Sequence, residues 1–288
     1  MKKRSFRGAG GKAVNEKIKS ATEVQQNKEY KEALTELLYQ LADDDFILSF
    51  RGSEWLGLAP HIEEDVAFSS ITQNMMGHAF MYYQLLEELG EGDIDYLAHS
   101  RPSDARKNAI LLEEANGNGT YLTNPNFDWA FTVVRHYFYD MYKRIKLLSL
   151  KNSSYGPLSE AAINIRMEHY YHIMHWQTWF KQLISAGGEA KTRMCKAIDR
   201  VYEEIEGLLT LGPNAKKMTV FGLIEEEDVL KQRFYNEINE VFEELQLERP
   251  AKGEMKRGNG RIGEHTEDLN TALLLLSDVY RSIPNAVW

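Results

Sequence analysis

The chain has one cysteine, Cys195, in 288 residues. No intrachain disulfide can form, which fits a reducing compartment, and a cytoplasmic location is expected. Prolines number only 7, so little breaks the chain where its pattern is helical. No run of about 18 apolar residues occurs, so no membrane span is expected. The start MKKRSFRGAGGKAVNEKIKS is basic but leads into no apolar stretch, unlike a signal peptide. Positive charge is not in surplus: 34 Lys and Arg face 43 Asp and Glu, a net charge of -9. Nucleic acids and anionic membranes are both held through excess Lys and Arg, so neither is an expected partner. The chain also lacks G-x-x-x-x-G-K-[ST], a G-x-G-x-x-G between strand and helix, and G-x-S-x-G. The segment GNGRIGEH around Asn259 is glycine-rich, but no strand precedes it and it reads as a loop.

What is present is a hydrophobic share of 43% with many Leu, Glu, Lys, Met and aromatic residues, the composition of a helix-rich globular protein. Residues 1–28, glycine-rich and basic at their start, are expected to form a flexible arm, and residues 29–288 a single domain. From Glu29 the residues Leu34, Leu37, Leu38, Leu41, Asp45 and Leu48 recur on one helical stripe that ends near Gly52 or Gly57. A second long helix opens after Pro60 with Glu63, Glu64 and Asp65 in its first turn, where the helix dipole favours acid, and stops at Gly90. The Asn, Gly and Pro cluster in LLEEANGNGTYLTNPNFDW predicts an irregular connection. Third and fourth long helices follow over Phe127–Lys151 and Ser159–Ile184. Further helical patterns run through KTRMCKAIDRVYEEIEGLLTL, EEEDVLKQRFYNEINEVFEELQL and TEDLNTALLLLSDVYRSI. The expected fold is therefore all-α: a ferritin-like four-helix bundle with additional C-terminal helices.

Such bundles often hold two metal ions, using a Glu from each of two helices and Glu-x-x-His from each of the other two. Helix two offers His78, but three residues earlier stands Met75. Helix four offers His172, but three residues earlier stands His169. Helices one and three offer Asp45 and Asp140. The inward set is then Asp45, Met75, His78, Asp140, His169 and His172, with both bridging carboxylates missing. Glu168, four residues before His172, lies off the inward position on a helix of 100° per residue.

The segments LSFRGSEWLGLAPHIEED, MMGH leading to LLEELGEGD, EEANGN followed by VVRHYFYD, EHYYH, and the tail GRIGEHTEDLNTALLLLSDVYRSIPNAVW are specific in combination. From about Tyr30 to its C-terminus the chain resembles the C subunits of the bacterial phenylacetyl-CoA 1,2-epoxidases, the ring oxygenases of phenylacetate degradation. The resemblance implies a non-catalytic structural subunit. It would pair with a di-iron A subunit, in a system with small accessory subunits and a reductase, and carry no cofactor of its own. It places Met75 and His169 where the catalytic subunit has ligating Glu, and Asp45, His78, Asp140 and His172 at the remaining ligand positions. A homodimer is expected of the isolated chain.

Two readings stand beside one another at these residues. His78 and His172 read first as buried histidines bonded to Asp45 or Asp140, with a residual mononuclear site of two His and two Asp as the alternative. His169 reads as a core hydrogen bond, and His175 as packing or surface contact. Lys143, Arg144 and Lys146 read as a solvated face, or else as a phosphate contact at a subunit boundary. The contact face is expected on the second and third long helices. The competing function is a free-standing metal enzyme or storage bundle using His169 and Glu168 in place of the usual carboxylates.

Overall fold

The computed structural model describes residues 17–250 and 252–283. Four long helices form its centre: α2 (Lys28–Ser53), α3 (Ile62–Glu88), α5 (Trp129–Leu150) and α6 (Gly156–Ser185). Local chemistry sets their ends. Asn27, His61 and Asp128 each cap a helix by accepting from a backbone N–H three residues on, those of Tyr30, Glu64 and Phe131. The first turn of α3 holds Glu63, Glu64 and Asp65, as its dipole favours. Pro157 sits in the first turn of α6, where its missing N–H has no partner to lose.

α2 packs on α3 and α5 on α6, and α3 meets α6 across the bundle. This is the two-hairpin, all-α ferritin-like arrangement expected from the sequence. Short helices fill the connections: α1 (Ala21–Val24), α4 (Ile110–Glu113), α8 (Ile205–Leu209) and α9 (Ala215–Val220). The added C-terminal helices are α7 (Gly188–Tyr202), α10 (Glu227–Glu244), α11 (Glu267–Leu276) and α12 (Asp278–Ser282). α7 and α10 pack on α5, while α4, α9 and α11 pack on α2. Consequently α5 is buried along almost its whole length, and so is α2 beyond Leu37. The outer faces of α3 and α6 are not covered in this way: Ile62, Val66 and Phe80 on α3 and Ile163, Met167, Tyr170, Tyr171 and Met174 on α6 are exposed.

Two expectations change here. The connection expected to be irregular contains a β-hairpin, β1 (Gly117–Thr120) against β2 (Thr123–Phe127), with Gly117 opposite Phe127. The glycines that suggested an irregular connection permit the pairing: a Cβ at Gly119, which has φ 81°, would fall 2.2 Å from the Asn124 carbonyl oxygen. The arm expected over residues 1–28 is docked in its second half. Ile18 N–H donates to the Ser154 carbonyl and the Ile18 carbonyl accepts from Gly156 N–H, each at 2.8 Å, and α1 follows. Residues 1–16 of that arm lie outside the described residues.

Candidate functional site

Asp43, Asp44 and Asp45 are consecutive on α2, and all three are buried. Successive helical residues point 100° apart, so each reaches a different neighbour. Asp43 accepts from Tyr83 Oη at 2.6 Å and from the Lys107 backbone N–H at 2.8 Å, and pairs with Arg101 and Arg106. Burial alone would raise its carboxyl, but the two guanidiniums bring it below the usual range. Asp44 accepts from Arg261 at 2.8 and 3.0 Å, from the Ala109 N–H at 3.0 Å and from Lys146 at 3.3 Å. Arg261 belongs to the GNGRIGEH loop, which reaches into the bundle with its guanidinium buried. Each of these carboxylates is thus consumed by cations and donors that also fasten a loop.

Asp45 faces the bundle centre. Its Oδ1 accepts from Lys143 Nζ at 2.5 Å and from Tyr139 Oη at 2.6 Å. Burial raises this carboxyl despite both donors. Lys143 Nζ also lies 3.0 Å from His78 Nδ1. An ammonium can only donate, so Nδ1 accepts and the proton of His78 is on Nε2. That nitrogen lies 3.2 Å from Glu168 Oε2, so His78 donates outward to Glu168 at the α3–α6 seam. Burial, reinforced by Lys143, lowers the His78 imidazole far below its ordinary range and keeps it neutral. The order of charge is therefore Asp45, Lys143, neutral His78, Glu168.

The remaining inward residues form a second cluster. His169 Nε2 approaches Asp140 Oδ1 to 3.1 Å. Burial would raise the Asp140 carboxyl, but His169 and then His172 bring it below its usual range. His172 Nε2 lies 3.3 Å from Asn74 Nδ2, its ring 5.9 Å from that of His78, and burial pushes it down to about 4. Met75 is buried and brings no hard donor. Among the described residues no three His, Cys, Asp or Glu side chains converge as a metal-binding group.

All six expected inward residues are in the core, but their partners differ from those expected. His78 bonds Lys143 and Glu168, and His172 meets Asn74, rather than Asp45 or Asp140. The reason is Lys143: three residues after Asp140, it lies on the same helix face and enters the space between Asp45 and His78. Neither Lys143 nor Lys146 is solvated or available to a phosphate, since both are buried against aspartates, whereas Arg144 pairs with Glu237 at the surface. The three acids of the unbroken run Asp43–Asp45 on an apolar helix each need a buried cation, and that run was the signal for lysine inside the bundle. His175 bonds Glu64 at 3.0 Å, and Trp179 Nε1 donates to the same carboxylate at 2.6 Å. Cys195 is partly exposed and free.

The family model described as phenylacetic acid catabolic protein matches residues 15–288. A curated relative, the C subunit of the 1,2-phenylacetyl-CoA epoxidase of Escherichia coli strain K12, is 27% identical over 256 residues, spanning 88% of this chain and 99% of that protein. Among the described residues no helix is long and apolar enough to cross a membrane.

Proposed function

Since the chain belongs to the phenylacetic acid catabolic protein family, we propose that it is the non-catalytic, structural subunit of a multicomponent phenylacetyl-CoA ring-epoxidising monooxygenase. In this reading it binds and supports a di-iron A-type subunit that carries out the chemistry. The observation that carries the reading is the position of Lys143 Nζ, 2.5 Å from Asp45 and 3.0 Å from His78. A pair of ferrous ions in this bundle type draws on four carboxylates and two histidines. Here the inward set supplies Asp45 and Asp140 only, with Met75 and His169 at the bridging positions. A basic side chain fills the space between two of the remaining donors. These residues do not fit a di-iron centre, because a cation entering between Asp45 and His78 would have to displace the lysine and meet its charge at close range.

The pairing face also needs revision. α5, the third long helix, is packed against by α6, α7 and α10 and is buried along almost its whole length. The exposed apolar residues lie on α3 and α6, the second and fourth long helices. A face of eight large exposed hydrophobic residues on two adjacent helices exceeds the scattered apolar exposure of a free-standing surface. In this reading the partner therefore covers α3 and α6.

Coexpression with the A-type subunit from the same source tests the reading. The two chains should copurify through moderate salt, as an apolar interface allows, with iron present in proportion to the A-type chain alone. A free-standing metal enzyme would instead take up iron by itself, and failure to copurify would reject the pairing.

A further inference from the structure

Gly77 lies inside α3 and is exposed, and a Cβ built on it would meet nothing within 4 Å. Glycine is the least favourable helix-interior residue after proline, and nothing among the described residues requires it at that position. A glycine on an open helix face leaves room for a close approach from outside the helix. It adjoins His78, which donates to Glu168 across the α3–α6 seam, and that carboxylate is 56% exposed. His78 is held neutral by burial and by Lys143, so it leaves the Glu168 charge uncancelled. The surrounding face is apolar, with Met167, Tyr170 and Tyr171 exposed beside Glu168. A partner that closes over this face strips water from the carboxylate, and a dehydrated carboxylate without a counter-charge is strongly unfavourable.

Building on the subunit reading above, we infer that the seam at Gly77, His78 and Glu168 receives an arginine or lysine from the helical subunit covering α3 and α6, and that Glu168 selects that partner. Gly77 provides the clearance for that side chain, and the His78 N–H orients the carboxylate toward it. A second copy of this chain meeting the face about a two-fold axis through the seam would set Glu168 against Glu168, a like-charge contact that argues for a different partner.

Equilibrium binding of the full chain to the A-type subunit from the same source, at low and high salt, tests this. Both sites are open, so the variants fold, and circular dichroism checks that they do. Glu168→Gln is expected to weaken the complex about 10-fold or more and to flatten its salt dependence, and Glu168→Lys to weaken it further. Gly77→Leu should also weaken it, while Gly77→Ala raises the melting temperature of the isolated chain by about 2 to 4 °C. If Met167→Asp abolishes binding but Glu168→Gln binds as tightly as the parent, the face is correct and the cation is not, which overturns this inference alone. If the parent chain does not bind the A-type subunit, the subunit reading fails and this inference with it. If light scattering shows a dimer of the isolated chain that Glu168→Lys dissociates, with no effect on A-type binding, the occupant is a second copy and the selective role is overturned.

Discussion

Lys143 is the residue on which the core depends. Replacing it with methionine leaves Asp45 buried with Tyr139 as its remaining hydrogen-bond donor among the described residues, and loss of one partner of a buried pair is expected to destabilise the fold by about 3 to 5 kcal/mol. Asp45→Asn in the same chain should recover much of that, because the orphaned charge goes too. Urea unfolding of the two variants and the double variant measures the coupling. The histidines add a pH dependence. His136 stacks on Trp176 with ring centres 4.6 Å apart, and burial pushes it down to about 3 from an unfolded value near 6.5. Because the folded value is depressed, the stabilisation is complete above about pH 6.5 and is lost as pH falls toward 3. The contribution of this one group should slope by about 1.4 kcal/mol per pH unit across that window. A urea midpoint that stays flat between those limits would contradict it. The inward positions of Asp45, His78, Asp140 and His172 were legible from helical register alone. Their partners were not, because register says which face a side chain occupies and not which neighbouring side chain enters the same space.

At the scale of elements, the four long helices were readable because each carries an apolar period, three of them behind a side-chain cap and the fourth with Pro157 in its first turn. Asn27, His61 and Asp128 mark three of the four starts. The hairpin at β1 and β2 was not readable, since its Gly and Asn residues are equally the signature of an open loop. The enclosure of α5 was not readable either, because α7 and α10 come later in the chain and only the assembled packing shows which sides they cover. The element-level prediction follows from the two uncovered helices. Met167→Asp or Tyr171→Asp on α6 should leave the melting temperature of the isolated chain nearly unchanged, since both side chains already face water. The same substitutions should abolish copurification with the A-type subunit. A variant that melts early but still copurifies would place the interface elsewhere.

Over the whole molecule, the three consecutive aspartates of α2 tie the bundle to segments distant in sequence. Asp43 holds the segment of Arg101 and Arg106, and Asp44 holds the loop of Arg261. Arg261→Ala should therefore free residues 253–266 to limited proteolysis well below the global unfolding transition, while far-ultraviolet dichroism stays near that of the parent. Buried charge in this chain holds segments together, and the proposed subunit reading takes the lysine between Asp45 and His78 to stand where a metal pair would otherwise bind. Ferrous iron bound per chain, measured by anaerobic equilibrium dialysis of the isolated protein followed by metal analysis, tests that account most directly. The expected result is no stoichiometric iron in the isolated chain, and iron in the complex that follows the A-type subunit alone. Two tightly bound irons per isolated chain, with an absorbance that appears only on admitting oxygen, would contradict it.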